Sequence, residues 1–98
     1  MIVHVVLTRL RPGVSQVELD RLTGQVRDLV ESIAGPESCA IGPNVTEEPL
    51  AQGYGFGFVA RFADRAALAA YHADPAHVGV SEAIQELAET VLVFDLDD

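Results

Sequence analysis

Basic side chains are scarce in this chain: Lys and Arg together number 6 against 15 Asp and Glu, for a formal net charge of −9. Such a surface repels a phosphate backbone and an anionic bilayer alike, so neither nucleic acid nor membrane is an expected partner. The acids near the end of the chain, Asp95, Asp97 and Asp98, read as a solubility device. Cysteine occurs once, as Cys39, which rules out an internal disulfide framework and points to a reducing compartment. Cys39 opens a predicted strand with no helix start or base beside it to activate the thiol, and it reads as a small buried hydrophobe.

Long apolar runs are also missing, because Arg, Asp, Glu, Pro or Gly interrupts each one well short of membrane-spanning length. The first residues lack the basic start, apolar stretch and small-residue cleavage site of a secretory signal, so the expected location is the cytoplasm. No Gly-x-Ser-x-Gly elbow, phosphate loop or dinucleotide fingerprint occurs; Ser15 and Ser81 read as helix caps, and no cofactor is expected. Aromatic residues make up only 6% of the chain against 49% hydrophobic, which calls for an aliphatic core built in packed layers. Ninety-eight residues provide for one domain, spanning 1–98.

Residues 2–10 are apolar on both alternating faces, as in a central strand covered on both sides. Pro12 and Gly13 end it. Ser15 and Glu18 then form a capping box, with Val14 and Leu19 as its hydrophobic staple. The helix that follows places Leu19, Leu22, Val26, Leu29, Val30 and Ile33 on one apolar face, and Gly35-Pro36 stops it. Residues 39–47 predict a second strand at a sheet edge, broken by Gly42 and Pro43. Residues 54–62 alternate Phe56, Phe58, Ala60 and Phe62 with smaller or polar neighbours, a third strand whose glycines leave room for close approach. Asp64 caps a short helix through Tyr71, and Asp74-Pro75 offers a further start. Residues 81–89 complete the helical region after a predicted kink near Gly79, and residues 90–96 form the last strand.

The order βαββαβ is that of an α+β, ferredoxin-like sandwich: a four-stranded antiparallel sheet under two helices, with its other face bare. With Val3, Val5 and Leu7 on one side of the central strand and His4, Val6 and Thr8 on the other, both faces need cover. A second copy packed sheet to sheet supplies it, so a homodimer is expected.

Chemistry concentrates in three histidines and one tyrosine. Tyr71, His72 and His77 lie in a turn-rich segment, and His4 points toward the helices from mid-strand, so all four can share a cavity. A buried imidazole must be hydrogen-bonded, which allows a purely structural polar cluster. The same groups suit general acid–base work, since imidazole titrates near neutrality and a phenol can polarise a carbonyl. His72, Asp74 and His77 are metal-ligand types at short spacing, but their gaps match no established zinc pattern, and no metal site is assigned.

Residues 71–79, YHADPAHVG, together with His4 and the closing VLVFD at 91–95, resemble the stress-responsive dimeric α/β barrel family over nearly the whole chain. Pro75-Ala76-His77-Val78-Gly79 is the most specific piece, and within the family the pattern is most similar to a plant polyketide cyclase. Asp74 departs from the histidine that commonly precedes the proline there. The resemblance implies two subunits forming a dimeric α/β barrel, with His77 as base, Tyr71 as hydrogen-bond donor and His4 lining the pocket. No cofactor is implied. The expected pocket is lined by His4, Val6, Thr8, Leu22, Val26, Phe58, Val91 and Val93 around the catalytic pair, with His72 alongside, and would take a small hydrophobic, aromatic or polyketide-like ligand. The alternative is a non-catalytic stress-associated or ligand-binding dimer; a cofactor-free monooxygenase of the same shape has no residue of its own to support it.

Overall fold

A computed structural model describes residues 1–98. Strand β1 (Ile2–Leu10) leads through a tight turn to helix α1 (Gln16–Ala34), then come β2 (Cys39–Pro43), β3 (Phe56–Phe62), α2 (Arg65–Ala73), α3 (Ala76–Leu87) and β4 (Ala88–Asp97). The strands form one antiparallel sheet in the order β2-β3-β1-β4, the ferredoxin-like arrangement expected. The capping box at α1 is complete, with the Ser15 hydroxyl accepting from the Glu18 N–H and the Glu18 carboxylate accepting from the Ser15 N–H. No helix is long and apolar enough to cross a membrane.

Strand β1 alternates as anticipated: Ile2, His4, Val6 and Thr8 are buried against the helices, while Val3, Val5 and Leu7 are half-buried on the opposite face. Phe56, Phe58, Ala60 and Phe62 of β3 share the helix side, and Leu22, Val26, Leu29 and Val30 of α1 close over them. Burying these side chains supplies most of the driving force for the sandwich.

Helix α2 ends at Ala73, two residues beyond Tyr71, and the larger departures from expectation each have a local reason. Strand β2 stops at Pro43 instead of continuing to Glu47, because side chains take over the backbone partners beyond it. The Asn44 side-chain Oδ1 accepts from Thr46 N–H and the Thr46 hydroxyl from Glu48 N–H, which turns the chain away from the sheet. Strand β3 starts at Phe56, two residues late, since Gln52 and Gly53 take positive φ and Tyr54 N–H closes a turn on Ala51. Helix α3 runs unbroken through Gly79 without the kink, held by buried Val80 and Ile84, and ends at Leu87. Ala88 and Glu89, read as helix, already belong to β4, where Ala88 pairs with Leu10 across an irregularity in register.

Strand β4 is an edge that no helix covers. Leu92, Phe94 and Leu96 extend the outer face alongside Val3, Val5 and Leu7, and Val91 and Val93 are exposed on the helix side. The outer sheet face is therefore a continuous apolar surface. Gly57 sits within it opposite Leu7, and a Cβ there would meet the Val6 carbonyl oxygen at 2.7 Å and Leu7 Cδ2 at 2.9 Å. Gly57→Ala is expected to lower unfolding stability by about 1–3 kcal/mol in a urea titration, because backbone must shift to admit the methyl group.

Candidate active site

The candidate site lies where the end of α2 and the start of α3 cross the β1 side of the sheet. Asp74 caps α2 in an extended conformation, as a residue before proline prefers, and its carboxylate accepts from Ala76 N–H to start α3 at once. This short joint folds the two helix ends together. Tyr71 and His72 come from one side of it and His77 from the other, with ring centroids 5.0 Å apart for Tyr71–His77 and 5.3 Å for His72–His77. His4 meets them from below, 5.6 Å from Tyr71 and 5.7 Å from His72.

These four rings wall a cavity of about 340 Å³, completed by Val6, Phe58, Val91 and Val93 from the sheet and Val80, Ser81, Ile84 and Gln85 from α3. Eight of the residues expected at the site thus come together: His4, Val6, Phe58, Tyr71, His72, His77, Val91 and Val93. Three do not. Thr8 is buried with its hydroxyl donating to the Phe56 carbonyl at 2.6 Å, while Leu22 and Val26 are packed into the core under α1, away from the cavity. Amphipathic spacing showed which face of α1 is buried but not which part of the sheet lies beneath it.

Ser81 and Gln85 bond to each other across the cavity wall, whereas the Tyr71 hydroxyl and His4 Nε2 take no protein partner. Tyr71 is only 1% exposed, yet its hydroxyl makes no protein hydrogen bond; no fully buried side-chain polar atom lacks a partner, so that oxygen is reachable from the cavity. The same reasoning applies to His4 Nε2, because the ring's single bond runs from Nδ1 to Asp95 Oδ1 at 2.5 Å. In the neutral ring, a hydrogen donated from Nδ1 to the Asp95 carboxylate leaves Nε2 as an acceptor. Burial, with a smaller contribution from Cys39, pushes the Tyr71 hydroxyl up to about 12, which keeps it a donor. Burial lowers His77 below the ordinary histidine value, with His72 and then His4 adding to the effect, which favours the neutral base.

Asp95 is the main functional candidate that reading the chain missed. It is no mere part of an acidic solubility tail: it stands directly opposite His4 in the β1–β4 register. The alternation Val91, Val93, Asp95 carried the signal, but only the strand register shows what faces it. Ser81, read as a helix cap, lies inside α3 with its hydroxyl accepting from Gln85 Nε2 at 3.0 Å. His72, Asp74 and His77 form no metal-binding group. Cys39 is buried, and burial raises its thiol, with Arg27 opposing and Glu31 adding. A second depression, of about 440 Å³, lies at the β2–β3 edge around Leu7, Ile41 and Gly57 and holds only Tyr54 as a titratable group.

Two outcomes follow for the free protein. Tyr71→Phe should leave unfolding stability within about 0.5 kcal/mol of the parent, since the hydroxyl has no protein partner to lose. By NMR, His77 should titrate below 6.5. Its neutral form is favoured on folding, so its contribution to stability is fully present above the unfolded histidine value and is lost as pH falls through the lower folded one.

The stress responsive A/B barrel domain model matches residues 2–98. The stress-response A/B barrel domain-containing protein HS1 of Arabidopsis thaliana is 34% identical over 92 residues, covering 94% of this chain and 84% of that protein. A crystal structure of an Arabidopsis thaliana protein superposes with a TM-score of 0.87 at 30% identity, over 100% of this chain and 95% of the other. A dimeric ferredoxin-like protein of unknown function from Jannaschia sp. gives 0.87 at 24% identity, over 99% and 98% of the two chains. A family match over 97 of the 98 residues, counted as 2 through 98, joins the βαββαβ fold and the Tyr71–His77 segment: the chain belongs to the stress-responsive A/B barrel domain family.

Proposed function

We propose that this protein is a homodimeric, cofactor-independent acid–base enzyme acting on a small aromatic or polyketide-like carbonyl compound. The observation that carries this reading is that Tyr71 and His77 face one cavity with their polar atoms unclaimed by other protein groups. In the proposed reaction His77 takes a proton from the carbon beside a carbonyl, and Tyr71 donates a hydrogen bond to the oxygen on which negative charge develops. The carbanion closes on a second carbonyl of the same molecule, and protonated His77 returns its proton to the new alkoxide. Protons balance over the cycle. Val6, Phe58, Ile84, Val91 and Val93 offer the apolar wall that such a ligand needs.

A second copy would complete the fold. Val3, Val5, Leu7, Leu92, Phe94 and Leu96 form an apolar face too continuous to leave in water, and the Jannaschia neighbour, of the same fold, is described as dimeric. A non-catalytic, stress-associated dimer is the second reading, favoured by the name of the Arabidopsis relative, which states a stress response and no reaction.

Soaking crystals with a panel of aromatic acids and short polyketides should place density between Tyr71 and His77. With any compound that turns over, His77→Ala and Tyr71→Phe should each cut kcat by roughly a hundredfold or more. Density without turnover would favour the binding dimer, and a cavity that accepts none of the panel would count against both small-molecule readings. Val5→Asp is expected to yield monomer in sedimentation; an unchanged dimer would remove the outer sheet face from the interface.

A further inference from the structure

His4 and Asp95 form one hydrogen-bonded pair but open onto different surfaces. His4 lines the Tyr71–His77 cavity and Asp95 does not; Asp95 instead lines a separate cleft of about 270 Å³ with Ile2, Arg65, Leu68, Leu96 and Asp97. The His4 side chain is 4% exposed and the Asp95 side chain 41%. A buried imidazole is thereby joined through a single 2.5 Å bond to a carboxylate in contact with water. Arg65 and Asp97, 3.8 Å apart, both line the second cleft, and the amino group of Met1 lies 3.8 Å from the other Asp97 carboxylate oxygen.

We propose that the His4–Asp95 pair is a proton path through the sheet-side wall of the site, connecting a ligand-filled cavity to bulk water at the second cleft. Its use in catalysis rests on the acid–base reading above; its existence does not. In the outward direction His4 Nε2 accepts a proton from the cavity, His4 Nδ1 gives its proton to the Asp95 carboxylate, and Asp95 releases it to water in the cleft. This leaves a neutral His4 protonated on Nε2. In the return direction His4 Nε2 hands that proton back to the cavity and Nδ1 regains one through Asp95. The two half-cycles restore the starting state and add nothing to the closed His77 cycle, so the path serves to reset the protonation of the cavity. A ligand that seals the cavity from water need not leave between them. His4 in this scheme touches the ligand, whereas Asp95 acts through His4 and is a positioning residue.

The test uses the free protein with ¹⁵N-labelled histidine, so an inactive enzyme would not disturb it. In the parent, NMR should show His4 protonated on Nδ1, with this hydrogen exchanging measurably with water. Asp95→Asn offers an acceptor that cannot take up the proton, and should slow that exchange at least about tenfold. Leu68→Trp narrows the cleft from its wall with Asp95 intact. It should slow the exchange while leaving the tautomer unchanged, a result that a merely structural hydrogen bond would not give. An Nε2-protonated His4 in the parent, or parental exchange rates in a folded Asp95→Asn protein, would overturn the proposal. Should Leu68→Trp fail to fold, the Asp95→Asn rates decide alone.

Discussion

A histidine at the centre of a central strand is tolerated only while its nitrogens find partners, and that requirement organises much of this molecule. His4 lies among Val6, Phe58, Phe62 and Tyr71, where an unpaired polar group would cost on the order of 1–3 kcal/mol. Asp95 meets the demand on one side of the ring. For it to do so, β4 must pair with β1 in the register that sets Asp95 opposite His4, and α3 must end where the chain can enter that register at Ala88. The irregularity between Arg9 and Leu10 falls where this alignment joins the helix, with Arg11 N–H donating to the Leu87 carbonyl across the junction. The other ring nitrogen is left to the cavity, so the interaction that makes His4 acceptable in the core leaves its second nitrogen without a protein partner there.

The parts of this arrangement that were legible in the chain are those governed by short-range rules. Ser15 and Glu18 predict the start of α1 because the capping box is a local exchange of hydrogen bonds. Phe56, Phe58, Ala60 and Phe62 predict the buried side of β3 because strand side chains alternate. Tyr71, His72 and His77 are close in sequence and meet across a two-residue joint, so their grouping needed little tertiary knowledge. Asp95 could not be assigned this way. Ninety-one positions separate it from His4, and an acidic residue near the end of an acidic chain has an ordinary explanation until the strand register is known. Thr8, Leu22 and Val26 were misplaced for a related reason: periodicity identifies a buried face but is silent about which buried neighbour it meets.

The walls of the site differ in how tightly they are packed. The sheet contributes His4, Val6 and Phe58 from strands paired on both sides, and Tyr71 is pinned by Phe62 at 5.2 Å between ring centroids. On the opposite rim, His72 is exposed and Val91 and Val93 stand on an edge strand. His4 and Tyr71 are thus held by packing on several sides, while the rim at Val91 and Val93 is open to solvent.

Strand β4 is apolar on both faces and unpaired along its outer edge, the composition that lets sheets grow without limit. Glu89 stands near its start and Asp95, Asp97 and Asp98 at its finish, so any copy adding edge to edge in antiparallel fashion would bring acid against acid at one end or the other. These carboxylates act as gatekeepers. They leave face-to-face association open and oppose the ribbon-like stacking that leads to fibres, so the strand that shapes the cavity also carries its own protection against aggregation.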